Sequence, residues 1–287
     1  MTEETEAPEP EPKATGIYQN LPEDEYHGDR FTISKSGLWK LHSQTPAHFK
    51  YAAPRENEPA LDFGKATHLM ILEPDLAEKG VTRGPVDRRG SKWKDARAEA
   101  QAANNILLTE GDYDGALIIR DAAAKHPVIK KLRDAETMYE ASGFWTDKRT
   151  GLGLRCRPDI YAPGITLMAD LKTTADAAPW GWARTAGTLG YHMQEAMYTE
   201  GWQEAGGGDV SGFIFICIEK KQPYCTIIYE LEPSASAEGH AVMQKALDKY
   251  KVCLDADEWP GYPTQVQPLD IPVFSYRETD APNRGAN

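Results

Sequence analysis

The spacing of hydrophobic and polar positions first changes period near residue 139. Upstream, apolar residues recur at helical intervals. In FTISKSGLWKLHSQTPAHFKY, Leu38 and Leu41 share a face behind a capping Ser34 or Ser36, and Pro46 interrupts the pattern. PALDFGKATHLMILEP predicts a helix from about residue 60 to 72, with Leu61, Ala66, Leu69, Met70 and Leu72 mostly inward. Residues 112–133 predict two helices divided at His126-Pro127. From Tyr139 the alternation is every second residue: YEASGFW, LGLRCRPDIY and, after an APG turn, ITLMADLKT. That pattern predicts a meander of three antiparallel strands. Helical residues follow from about 179 to 205, divided near Gly187–Gly190. VSGFIFICIEK and PYCTIIYEL then read as two strands joined near Gln222-Pro223, and a long helix spans about 234–254. The order predicts one mixed α/β domain with a helical N-terminal elaboration and no internal repeat.

Composition narrows the class. The 287 residues suffice for one large domain, and no apolar run approaches the ~18 residues of a membrane span. The N-terminus lacks a signal-peptide pattern, so a soluble, intracellular protein is expected. Cys156, Cys217, Cys225 and Cys253 are scattered without a CxxC pair, which points to reduced thiols rather than a metal site or iron–sulfur cluster. The net charge of −12 is concentrated at the start: nine acids and one base, Lys13, lie in residues 1–29. MTEETEAPEPEPKATG is Pro/Glu-rich and poor in large apolar residues. Residues 1–29 are therefore expected to be a disordered acidic tail, 30–275 a single domain and 276–287 a flexible tail.

The rest of the chain is close to balanced and can carry a local basic groove. RGPVDRRGSKWKDARAEA holds six bases against three acids, a pattern suited to sequence-independent phosphate contact. Trp39 and Trp93 could stack on bases, although burial is the commoner fate of such residues.

The most specific chemistry lies in RPDIYAPGITLMADLKTT. Residues two apart on a strand share a face, so Asp170 and Lys172 project together while Leu171 faces the core. Asp159 ends the preceding strand, and the APG turn brings it beside Asp170. Two carboxylates that close repel unless a cation joins them. Hard oxygen ligands of this kind suit Mg²⁺, with Mn²⁺ as a substitute, and such an ion would stabilise charge developing on a phosphodiester. A D-x-K alone is usually an exposed ion pair; PD, a hairpin-length gap and DLK in consecutive strands are less ordinary.

RPD and ADLKTT together resemble the PD-(D/E)xK nuclease core, a restriction-endonuclease-like mixed sheet flanked by helices. FGKATHLMILEP, SGFWTDKRTGLGLRCRPD, DLKTT, YHMQEAMYTEGW and CLDADEWPGY, in that order, resemble the RecE (exonuclease VIII) type of phage and prophage exonucleases over about residues 31–273. The resemblance implies metal ligation by Asp159, Asp170 and His68, catalysis by Lys172, and support from Gln194 and Tyr198. It also implies a further acid at Glu140 and DNA contact by Arg88, Arg89, Lys92 and Lys94. It further implies 5′-to-3′ degradation of linear double-stranded DNA, leaving 3′ single strands for a RecT-like annealing protein. A homo-oligomeric ring, tetramer before trimer, and a phage-encoded protein in the bacterial cytoplasm complete the expectation. The rival readings are a nuclease of the same core carrying an iron–sulfur cluster, for which the four cysteines are wrongly placed, a non-catalytic DNA-end-binding adaptor and a structural phage component.

Overall fold

The computed structural model describes residues 11–53 and 59–270. The N-terminal half carries β1 (Gly16–Tyr18), α1 (Glu23–Gly28), β2 (Ile33–Ser34), α2 (Lys35–Ser43), α3 (Pro46–Lys50), α4 (Pro59–Leu72), α5 (Pro74–Gly80), β3 (Val81–Arg83), α6 (Gly90–Ala102), β4 (Ile106–Leu108), α7 (Glu110–Ala124) and α8 (Pro127–Asp134). The second half carries β5 (Met138–Tyr139), β6 (Ser142–Thr146), β7 (Gly153–Cys156), β8 (Ile160–Ala162), β9 (Leu167–Thr174), α9 (Pro179–Leu189), α10 (Tyr191–Glu204), β10 (Gly212–Glu219), β11 (Thr226–Tyr229) and α11 (Pro233–Ala256). Prolines open α3, α5, α8, α9 and α11, where the missing N–H has no intrahelical partner to lose. The His126-Pro127 break and the division at Gly190 fall where the sequence places them. Gly190 adopts a left-handed φ of 67°, and a Cβ there would lie 2.3 Å from the Trp39 ring.

The central sheet has the order β11-β10-β9-β8-β5. β9 and β10 run parallel, and the other neighbours are antiparallel. Helices cover both faces. Leu171, Ile216 and Ile218 pack with Ile119, Ile129 and Leu132 of α7 and α8. Met168, Phe215 and Cys217 pack on the other side with Met193, Met197, Met243 and Leu247 of α10 and α11. A second sheet has the order β1-β6-β7-β2, and β3 pairs with β4 in parallel.

Two expectations are corrected. The three-strand meander is divided between two sheets. β6 pairs with β7 in the second sheet, whereas β8 pairs with β9 in the central one. The break falls at Arg157-Pro158-Asp159, where proline cannot donate a ladder bond. There the Arg157 guanidinium donates to Ser142 Oγ at 2.7 Å and to the Leu21 carbonyl at 2.8 Å. The expected disorder of residues 1–29 also fails over its second half, because β1 and α1 are built from it. Tyr26 is only 5% exposed, with the Arg157 guanidinium 4.2 Å from its ring centroid. Ile17, Tyr18 and Tyr26 supply anchors that an average over the acidic segment conceals. Residues 1–10 and the expected tail at 276–287 lie outside the described residues.

Candidate active site

Strand register places three acids in one row. Tyr139 is opposite Ile160, and Ile160 is opposite Ala169. Continuing both ladders by one residue sets Glu140 beside Asp159 and Asp159 beside Asp170. Two hydrogen bonds hold the row: Glu140 N–H donates to the Asp159 carbonyl at 3.1 Å, and Leu171 N–H donates to Asp159 Oδ2 at 2.6 Å. Glu140 adopts φ 48°, a conformation a non-glycine residue reaches at some cost. The turn separates β5 from β6 and leaves Glu140 at the end of the row.

His68 enters from α4, its Nδ1 3.4 Å from Asp159 Oδ2. The candidate ligand atoms of His68, Glu140 and Asp159 lie within 4.8 Å of one another. Asp170, 1% exposed, has its carboxylate engaged by two other side chains. It accepts from Lys172 Nζ through both oxygens and from Gln194 Nε2 at 2.6 Å. Lys172 Nζ also lies 4.6 Å from the Tyr191 ring centroid. Tyr191 starts α10, so Tyr191, Gln194 and Tyr198 fall on one helical face.

The electrostatics follow from crowding and burial. Burial, then Asp170 and Glu140, raise the Asp159 carboxyl well above its ordinary value. Glu140 is pushed up to about 7 by burial first; Arg157 opposes this, while Glu73 and Asp170 add to it. Burial and the Lys172 charge lower His68 to about 4, which favours the neutral imidazole. Burial alone would lower Lys172, but Asp170, Tyr191 and Asp159 more than reverse this and hold it raised and protonated. Burial raises the Tyr198 phenol well above its usual range, and Tyr26 and Asp170 reinforce the shift.

This donor set fits a hard divalent cation. Two crowded carboxylates, under-neutralised by their surroundings, stand beside a neutral imidazole. A doubly charged ion would relieve the repulsion and accept all three donors; Mg²⁺ favours the oxygens, and Mn²⁺ also tolerates the nitrogen. A cleft of about 540 Å³ opens on the site, lined by Lys65, His68, Glu73, Tyr139, Glu140 and Arg157 among others.

The structure thus gathers His68, Glu140, Asp159, Asp170, Lys172, Gln194 and Tyr198 into one region. The basic segment is set differently. Arg88 is paired with Asp112 at 2.9 Å and lies over the Trp93 ring, Arg89 precedes α6, and Lys92 and Lys94 ride its first turns. Arg89 and Lys92 line a separate groove of about 690 Å³ that shares no lining residue with the His68 cleft. Trp39 packs against the core cluster and Gly190, and Trp93 lies against Gly84. Sequence reasoning missed Tyr191. Its spacing of three and seven residues from Gln194 and Tyr198 was the available signal.

Residues 36–270 match the family model described as a PDDEXK-like domain of unknown function (DUF3799). Among solved structures, a candidate exonuclease from Eubacterium rectale is similar with a TM-score of 0.60 at 17% identity, covering 89% of this chain and 97% of that one. A phage-related exonuclease from Haemophilus somnus 129PT is similar with a TM-score of 0.33 at 11% identity, covering 81% and 99%. No curated protein matches the chain.

Proposed function

Because the chain belongs to the family of PDDEXK-like domains, we propose that it is a metal-dependent nuclease, specifically an exonuclease acting on linear double-stranded DNA. The row Glu140–Asp159–Asp170, with His68 on one side and Lys172 on the other, is the observation that carries this reading. Asp159, Glu140 and His68, with Asp170 adjoining, would hold Mg²⁺ or Mn²⁺; the ion would offset the carboxylate repulsion and stabilise negative charge on the phosphodiester.

The side chains divide the remaining work. Lys172, held protonated, is a hydrogen-bond donor rather than a base: its Nζ orients the attacking water or the phosphate oxygen. Gln194 fixes Asp170 Oδ1, so the carboxylate that holds Lys172 cannot rotate. Neutral His68 presents a lone pair rather than a repelling proton. Similarity to the RecE type supports 5′-to-3′ polarity, 3′ single-stranded products, a RecT-like annealing partner, a tetrameric ring and a phage-encoded protein working in the bacterial cytoplasm.

End-labelled duplexes test the proposal. Early release of a 5′ label from linear DNA in Mg²⁺, with a covalently closed circle untouched, supports it. Early release of the 3′ label would reverse the polarity, and cleavage of the circle would make the enzyme an endonuclease.

A further inference from the structure

A second surface adjoins the site at the carboxyl ends of the two parallel strands. β9 carries Lys172 and ends at Thr174, and β10 ends beside it at Glu219. Lys220 N–H donates to the Thr174 carbonyl at 2.9 Å, which ties the β10–β11 turn, with Lys220 and exposed Lys221, to the end of the catalytic strand. The loop leaving β9 is fastened to the same rim. Ala177 N–H donates to Glu219 Oε1 at 3.2 Å, and Tyr229 Oη donates to the Ala177 carbonyl at 2.7 Å. That loop delivers the first turn of α9, and there Trp180 is 84% exposed. Arg184 follows four residues later on the same exposed helical face.

An indole so exposed is unusual for a residue that normally dominates buried contacts. Its neighbour in sequence, Trp182, shows the ordinary fate: it is buried and stacked on Tyr191 and Tyr229. The charge around Trp180 is also available. Among the described residues, no ion pair engages Arg184, Lys220 or Lys221, whereas Arg88 of the other basic segment is paired with Asp112. The two acids of the rim are occupied by backbone: Glu219 accepts from Ala177 N–H, and Asp176 Oδ1 accepts from Ala178 N–H at 2.9 Å. Open α/β sheets bind ligands outside the carboxyl ends of parallel strands. From Asp170 to Thr174 the strand advances roughly 13 Å, about the reach of two or three nucleotides of an extended strand.

We propose that this rim is a binding track for single-stranded DNA, in which Trp180 stacks on an unpaired base and Arg184, Lys220 and Lys221 hold the flanking phosphates. The proposal rests on the nuclease reading and adds to it a place for the unpaired strand next to Lys172. An aromatic face with unpaired cations suits a strand whose bases are free to stack; a closed duplex offers only its terminal pair.

The test measures binding of two fluorescent DNAs to the full-length chain, in Ca²⁺ and on an Asp170→Asn background so that nothing is degraded. One DNA is a blunt duplex and the other the same duplex with a 3′ oligothymidine tail. Trp180→Ala is expected to weaken binding of the tailed DNA about tenfold while changing the blunt duplex little, and Trp180→Phe to restore most of the loss. Lys220→Gln with Lys221→Gln is expected to flatten the salt dependence for the tailed DNA alone. The exposure of Trp180 leaves the fold intact in these variants, which circular dichroism checks. Equal affinity of wild type and Trp180→Ala for the tailed DNA overturns the track and leaves the nuclease reading standing. Failure of the Trp180-intact protein to bind either DNA overturns both. A Trp180→Ala variant that binds DNA normally but loses its oligomeric state by sedimentation overturns the track in favour of a subunit contact.

Discussion

The ammonium of Lys172 is held between the Asp170 carboxylate and the face of Tyr191, whose ring centroid lies 4.6 Å away. Lys35 approaches the same ring at 5.4 Å, so one aromatic face system serves two cations. Tyr191 stacks in turn on Trp182 and Phe215, which fixes the ring. A lysine on a flexible four-carbon stem thereby acquires a single position.

That arrangement makes Tyr191 a positioning residue. Tyr191→Phe keeps the ring face and is expected to retain most of the turnover. Tyr191→Leu is expected to lower kcat about tenfold, with DNA affinity in Ca²⁺ nearly unchanged. Equal rates for the two variants would remove the ring from the account.

Lys172→Ala is expected to abolish turnover while leaving metal and DNA binding largely intact. It also leaves the buried Asp170 carboxylate with Gln194 as its remaining side-chain partner among the contacts described, at a cost of about 3 kcal/mol in the metal-free protein. Thermal melting with and without Mg²⁺ checks this, since added metal should recover part of the loss.

The acid row gives a pH signature in the metal-free protein. Glu140 binds its proton up to about pH 7 in the folded chain, against an ordinary carboxyl value of 4.5. Between those values the folded state holds more protons than the unfolded state, so this group's contribution to stability falls as pH rises. Glu140→Gln should therefore raise the melting temperature in EDTA more at pH 7.5 than at pH 5. An equal difference at both would show that Glu140 is not crowded.

Packing of α10 on α11 depends on Gly239, where a Cβ would lie 2.1 Å from the His192 carbonyl oxygen. Backbone cannot swing aside as a side chain can, so Gly239→Ala should cost about 2 kcal/mol by denaturant unfolding. The site residues on α10 should shift with it and activity should fall.

The placement of Asp159, Asp170 and Lys172 side by side was legible because short-range rules determine it. A hairpin-length link between Asp159 and Asp170 leaves one register that buries Leu171, and that register aligns the acids. The two-residue period then puts Lys172 beside Asp170. What was not legible depends on distant partners. The parallel pairing of β9 with β10 crosses two helices, and the assignment of β7 and β8 to different sheets rests on Arg157 reaching Ser142 and Leu21. Residues 16–28 read as part of a charged tail because composition counts acids, while Tyr26 finds its place only against Phe144, Arg155 and Arg157.

The acid row and Lys172 are proposed to hydrolyse DNA with a divalent ion. Nucleotide release from linear duplex by wild type, Asp170→Asn and Lys172→Ala, each in Mg²⁺ and in EDTA, tests it most directly. Release is expected from wild type in Mg²⁺ alone. Undiminished release by Asp170→Asn, or none from wild type with Mg²⁺ or Mn²⁺ despite firm binding to DNA ends, would contradict it.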